Sequence, residues 1–269
     1  MAIRTVTEPV AVGIRRQRMV FDALSLLTPF DLVGARKVRI GNPGDGSYVM
    51  VDRLRPSQPV MSFGIGPSVN FELAMAERGH RVLLFDHTIH KLPGTHPRFT
   101  WFREGIASIS EPTRALFTLA EHMLKLPDGG DPPILKLDVE SAEWAVFGEA
   151  PAGLLRRFEQ ISVELHELGR IAEPQFNATM QKALQKLSAD FTLCHVHANN
   201  FGAVHVACGF AVPEALEVTY IRTDLVMRAP STTLYPTEAD SPNYPYWPEH
   251  LLWYFPFLPG SETIKFPNP

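Results

Sequence analysis

From Pro59 onward, short apolar runs alternate with helix-like stretches, and that rhythm decides what the chain can fold into. The runs are "PVMSFGIG", "HRVLLFDHT", "FTWFREGIA", "ILKLDVE" and "FEQISVELHE". Their length and their Gly, Asn and Asp boundaries read as strands buried on both faces. Between them lie "NFELAMAERG", residues 111–126, "SAEWAVFGEA" and "PQFNATMQKALQKLSAD". These carry helix punctuation: Gly79 as a C-cap, Pro112 near one start, "PDGGDPP" as a stop and Pro174 in a first turn. Strands alternating with helices imply a mostly parallel sheet with helices on both faces. The later pieces, "FTLCHVHANN", "AVHVACGFAV" and "ALEVTYIR", lack long helices between them, so antiparallel strands are expected at the C-terminal side of the sheet. The fold class is α/β, a Rossmann-like doubly wound sheet.

The flanks set the domain limits. Residues 9–33 place Val20, Leu24 and Leu27 at helical spacing, so residues 1–36 form an N-terminal helical segment. "KVRIGNPGDGSYVMVD" holds two β-like pieces around a turn, and it opens the main domain, residues 37–227. The tail, residues 228–269, is dense in proline and aromatics. Proline at that density excludes regular helix and central strand, while the aromatics argue against disorder. The tail is therefore expected to be ordered, irregular and packed on the domain or on the partner in a homodimer.

A net charge of −4 gives no basic signal for nucleic acid or an anionic membrane. No apolar run of about 18 residues offers a membrane span. The two cysteines, Cys194 and Cys208, suit a reducing compartment rather than a disulfide framework. A cytoplasmic protein acting on a small molecule or peptide is the expectation.

In an open parallel sheet, ligands sit beyond the carboxyl ends of the strands. The first such end carries Gly64 and Gly66, which allow close approach to the backbone. Asp86 ends the second, about 20 residues on, where an acid can accept both hydroxyls of a ribose. Gly105 and Ile106 end the third and suit the flank of an adenine ring. Neither the dinucleotide fingerprint G-x-G-x-x-G nor a P-loop is present. The fourth end, "KLDVESAEW", brings Asp138 and Glu140 to the edge. Glu143 reads as a helix-start charge that complements the macrodipole, and Trp144 as core. The fifth end, "VELHE", puts Glu164 and His166 on one face, and "HVHANN" does the same for His195, His197 and Asn199. With the fifth strand beside the fourth and the sixth neighbouring them, Asp138, Glu164, His166, His197 and Asn199 are expected to converge on one pocket. His80, His96, His122, His195 and His205 are expected to be structural.

"SFGIGPSVNFE", "VLLFDHT", "LKLDVESAEW" and "ISVELHEL" together resemble class I S-adenosylmethionine-dependent methyltransferases of the FkbM-like group. "RIGNPGDGSYVM", "HANNFG" and "LEVTYIR" extend the resemblance over residues 37–225. It implies that Gly64, Ile65 and Gly66 hold the methionine part of S-adenosylmethionine. Asp86 would take the ribose with His87 beside it, Ile106 the adenine, and Asp138 the methyl-transfer end. Two positions depart from the pattern. Ser141 replaces a glycine, and Ser62 stands near the place of the acid that pairs with the cofactor's amino group. Asp45 and Tyr48 are the candidates to substitute for that acid. With no basic face for RNA or DNA as acceptor, the expected reaction is O-methylation of a small-molecule, sugar or peptide hydroxyl. Asp138, Glu164, His166 and His197 are the catalytic candidates, with His166 or His197 as base. The alternative device is a divalent metal, Mg or Mn, held by Asp138, Glu164, His166 and Asn199. Two other readings of the chain are a catalytically inactive binding protein on the same fold and a nucleotide-dependent oxidoreductase.

Overall fold

The computed structural model describes residues 10–127 and 129–267. Helix α1 (Val10–Ser25) leads to strand β1 (Phe30–Leu32) and the hairpin of β2 (Lys37–Ile40) and β3 (Tyr48–Val51). The alternating region gives β4 (Val60–Phe63), α2 (Asn70–Glu77), β5 (Val82–Phe85), β6 (Phe99–Phe102), β7 (Gly105–Ile106) and β8 (Leu116–Phe117). It continues with α3 (Leu119–Met123), β9 (Ile134–Leu137), α4 (Glu143–Glu149), β10 (Gln160–Leu165) and α5 (Pro174–Asp190). Then come β11 (Phe191–Ala198), β12 (Val204–Ala207), β13 (Phe210–Pro213), β14 (Leu216–Arg222) and β15 (Arg228–Pro230). Residues 1–9, the start of the expected N-terminal segment, lie outside the described residues.

Seven strands form the central sheet in the order β11-β14-β10-β9-β4-β5-β6. Strands β6, β5, β4, β9 and β10 run parallel, and β14 is antiparallel to both β10 and β11. This is the Rossmann-like, doubly wound architecture. From β4 the chain builds outward through β5 to β6, then returns to place β9 on the other side of β4. The carboxyl ends of β4 and β9 therefore flank the switch point, where such sheets open a crevice.

Side chains alternate between two covered faces. One face sends Met61, Phe63, Leu135, Leu137 and Val163 into a core with Leu24, Phe147 and Leu184 of α1, α4 and α5. The other sends Val60, Leu84 and Ile134 against Phe71 and Met75 of α2 and Tyr48 and Met50 of β3. The β2–β3 hairpin is docked on this second face through its backbone. Gln160 bonds both the N–H and the carbonyl of Val51, at 3.0 Å each, and Thr219 Oγ1 donates to the Val49 carbonyl at 2.7 Å.

Two local expectations are corrected. Residues 111–126 are not one helix. Ala115 takes a left-handed φ of 55° after a single 3-10 turn, Pro112–Arg114. Thr118 then starts α3 afresh with a capping box to Glu121. "AVHVACGFAV" is a hairpin of β12 and β13, turned by Cys208 and Gly209 at φ 51° and 90°, as a two-residue I′ turn requires.

Within the tail, β15 pairs with β1, and the rest of its described residues are irregular apart from one 3-10 turn, Ser261–Thr263. Tyr235, Leu252 and Phe257 are fully buried in the main core. Phe255 stacks on Phe21 of α1 at 4.7 Å between ring centroids. The tail thus packs on the domain of its own chain. Phe257→Ala should cost about 3–5 kcal/mol, read as a lowered urea midpoint. A loss below about 1 kcal/mol would show the tail to be peripheral to the fold.

Candidate functional site

At the switch point the backbones of β4 and β9 nearly touch. A Cβ on Gly64 would lie 1.6 Å from the Asp138 carbonyl oxygen, and its φ is +74°. Only glycine meets both conditions. Gly66 follows at φ +57°. Asp86 shapes this loop: Oδ2 accepts from the N–H groups of Ile65 at 2.9 Å and Gly66 at 3.1 Å. Oδ1 accepts from the N–H and hydroxyl of Thr88, at 2.8 and 2.6 Å. Burial works against the Asp86 charge, but these four bonds outweigh it and hold the carboxyl below its usual range. They also fill its lone pairs, so Asp86 holds the loop in place of waiting free for a ribose.

Asp138 sits at the carboxyl end of β9. Its Oδ2 accepts from Tyr48 Oη at 3.4 Å and lies 3.5 Å from Lys136 Nζ. Lys136, itself buried, also donates to the Gly64 carbonyl. Burial disfavours its charge, yet Asp138, Glu72 and Glu164 together raise its pKa. Ser62 Oγ donates to Glu72 Oε1. A buried carboxylate, Glu72 of α2, thus lies beside Ser62, and sequence reasoning passed over it. Tyr48 reaches the crevice. Asp45 is exposed and accepts from Asn243 at 3.2 Å. It gathers with Glu164 and Glu217, one carboxylate oxygen from each lying within 4.8 Å of the others.

His166 lies just past β10. Its N–H and Nδ1 bond to Glu143 Oε1 at 2.7 and 3.2 Å. Its Nε2 faces Asp138 Oδ1 at 3.7 Å, Glu164 Oε2 at 3.7 Å and Glu140 Oε2 at 3.8 Å. Burial opposes protonation of the ring, but the Glu143 bond and the surrounding carboxylates raise its pKa to about 9. Burial, Asp138 and Glu217 push the Glu164 carboxyl well above its ordinary range. Glu143 is therefore not merely a helix-start charge. It is fully buried and fixes the His166 ring. Trp144 Nε1 donates to the His166 carbonyl at 2.9 Å, fixing its backbone too. Glu140 and Ser141 both sit at left-handed φ, 50° and 79°. Ser141→Gly should relieve strain of about 1 kcal/mol, and a melting point unchanged or lowered would refute that.

The fifth and sixth parallel strands are not adjacent as expected, because β14 lies between them. It registers Glu217 opposite Glu164 on one side and opposite His197 on the other. Asn199 still reaches across, its Nδ2 donating to Glu164 Oε1 at 2.7 Å, and its Oδ1 accepts from Phe201 N–H. Asn199 is thus a buttress for Glu164 rather than a free ligand. His197 is held on both nitrogens, by Glu217 at 2.8 Å and by Glu249 of the tail at 3.1 Å. It has no free nitrogen with which to serve as a base. His195 pairs with Asp240 of the tail at 2.8 Å. Burial opposes the His197 charge, but the two carboxylates raise its pKa to about 10. The Glu217 carboxyl is raised, chiefly by burial; the ring is the group that two bonded carboxylates stabilise. The ordinary value for histidine is about 6.5, so the ion pair contributes fully below that pH and is lost as pH rises through about 10. His197→Gln should cost about 3 kcal/mol at pH 6. Urea unfolding should show the loss shrinking toward pH 10, whereas a loss independent of pH would refute the ion pair.

The remaining candidate residues separate. Ile65 and Ile106 are almost wholly buried in the cores. His87 is exposed, and its ring lies over Gly105, where a Cβ would meet it at 2.3 Å. Of the other histidines, His80 bonds the Gln58 carbonyl, His122 the Gly105 carbonyl, and His205 pairs with Glu214 at 2.8 Å.

The fold and site define a Rossmann-like α/β protein with an acid-rich crevice at the switch point. No family model matches the sequence, and no curated protein does. Solved structures give distant likenesses. A Streptococcus thermophilus protein described as a hemolysin shares 12% identity at a TM-score of 0.36, over 71% of this chain and 63% of that one. A Listeria monocytogenes protein described as an S-adenosylmethionine-dependent methyltransferase shares 10% at 0.37, over 62% and 90%. Burkholderia thailandensis 1,6-didemethyltoxoflavin-N1-methyltransferase, with S-adenosylhomocysteine bound, shares 12% at 0.30, over 83% and 94%. Likeness at this level says nothing of activity. No helix among the described residues is long and apolar enough to cross a membrane.

Proposed function

We propose that the chain is an S-adenosylmethionine-dependent methyltransferase acting on a hydroxyl of a small molecule, sugar or peptide. The observation that carries this is the charge of the switch-point crevice. Asp138, Glu140, Glu143 and Glu164 gather around His166, and Glu72 and Lys136 lie beneath. A cofactor head bearing a sulfonium and an ammonium suits that excess of negative charge, whereas the phosphates of a dinucleotide would be repelled. This weighs against the oxidoreductase reading, as does the absence of the dinucleotide glycine pattern.

In this reading the loop of Gly64, Ile65 and Gly66, shaped by Asp86, lies against the methionine part. Glu72 stands in for the absent strand acid, and His87 and Ile106 lie toward the adenine. The cofactor supplies an activated methyl group. The chain holds the acceptor oxygen in line and draws its proton into the carboxylate–imidazole cluster. His197, tied at both nitrogens, serves the architecture alone.

A thermal-shift series tests this. Ligand at 100 times its dissociation constant adds about 2.7 kcal/mol. S-adenosylmethionine and S-adenosylhomocysteine should each raise the melting temperature, NAD should not, and Gly64→Ala should abolish the response. A shift with NAD alone would overturn the reading. His166→Ala should then lower transfer of tritiated methyl to a hydroxyl-bearing substrate pool by about 100-fold or more, with cofactor affinity unchanged.

A further inference from the structure

Three side chains in the crevice share one pattern: one polar atom is tied to an outer partner, and the other is left unbonded. Asp138 Oδ2 is anchored by Tyr48 and Lys136, leaving Oδ1. His166 Nδ1 is anchored by buried Glu143, leaving Nε2. Glu164 Oε1 is anchored by Asn199, leaving Oε2. Nε2 lies 3.7 Å from each of the two oxygens. The exposed Glu140 adds a fourth, 3.8 Å from Nε2. All of these separations are too long for hydrogen bonds. Glu164 is only 6% exposed, and its Oε2 has no donor among the described residues.

We infer that Asp138, Glu140, Glu164 and His166 form a site for one divalent cation of the magnesium–manganese class. One ligand atom each from Asp138, Glu140 and His166 already lies within 4.8 Å of the others. A cation about 2.1 Å from each ligand would draw neighbouring atoms to about 3 Å apart, so the oxygens of Asp138, Glu140 and Glu164 must each close on Nε2 by less than about an ångström. Three carboxylates with a single imidazole favour magnesium or manganese over zinc or copper. The buried Glu143 behind His166 is the outer carboxylate that metal-bound histidines use to fix ring and tautomer. The crevice's excess of carboxylates over cations supplies the charge.

The neighbouring acids behave otherwise. Asp45, Glu164 and Glu217 also come within 4.8 Å. There, however, Glu217 spends one oxygen on His197 and the other on Asn243, and Asp45 bonds Asn243. Glu217 therefore has no oxygen left for an ion, and the group includes no imidazole.

Cation binding needs neither cofactor nor acceptor, so this inference stands or falls apart from the methyl-transfer reading. Manganese is titrated into the full chain and the free ion is followed by electron paramagnetic resonance. Saturation at one ion per chain is expected. Glu143→Gln should weaken binding about 10- to 100-fold. Glu140→Gln, at a side chain 89% exposed and so without risk to folding, should weaken it about 10-fold or more. Glu217→Gln should leave it unchanged. Binding that does not saturate, or that both Glu140→Gln and Glu143→Gln leave intact, overturns the assignment. A loss with Glu217→Gln equal to that with Glu140→Gln would place the ion in the other cluster and overturn it as well.

Discussion

The Nζ of Lys136 donates to the carbonyl of Gly64 and lies 3.5 Å from the carboxylate of Asp138, so one buried cation ties the ends of β4 and β9 together where the sheet reverses its order. A lysine in such a place faces a large desolvation cost. It stays charged because Asp138, Glu72 and Glu164 surround it. Gly64 is the steric counterpart. Without its missing side chain, the two backbones could not approach closely enough for that ammonium to span them. The position of Asp138, and through it the rest of the crevice, follows from this junction.

Around it, polar groups are held in layers. Tyr48 arrives on a hairpin docked by Gln160 and Thr219. Glu143 and Trp144 lock His166 from α4. Each atom that faces the crevice is thereby fixed by a partner that does not, which is how a site is held rigid before any ligand enters. The left-handed turn at Glu140 and Ser141 is the strained exception, and it sits on the rim.

The alternation of strands and helices was legible because strands buried on both faces are apolar and their helices carry caps and prolines, as Gly79 and Pro174 do. The parallel sheet followed from topology rules. Asp138, Glu164 and His166 were legible for the same reason: residues at strand ends must lie at the sheet edge. What escaped reading was whatever depends on the order of strands in space. Glu217 lies near the start of its strand, and only an antiparallel β14 brings a strand's start to the crevice. Glu72 and Lys136 sit in apolar surroundings, where their sequence neighbours give no hint of the partner opposite. Glu143 has an ordinary reading as a helix-start charge, and its role appears only when β10 delivers His166 beside it. The tail's carboxylates, Asp240 and Glu249, find their histidines across some fifty residues of chain.

That last pairing has a consequence for the order of assembly. Synthesis proceeds from the N-terminus, and domains begin to fold as they emerge. Strands β10, β11 and β14 are complete before residues 240 and 249 leave the ribosome. Until then His195 lacks its acid, His197 has only Glu217, and the cavity filled by Tyr235, Leu252 and Phe257 is open. The sheet can thus form on the growing chain, whereas the edge beside the crevice is sealed only by a segment made after it.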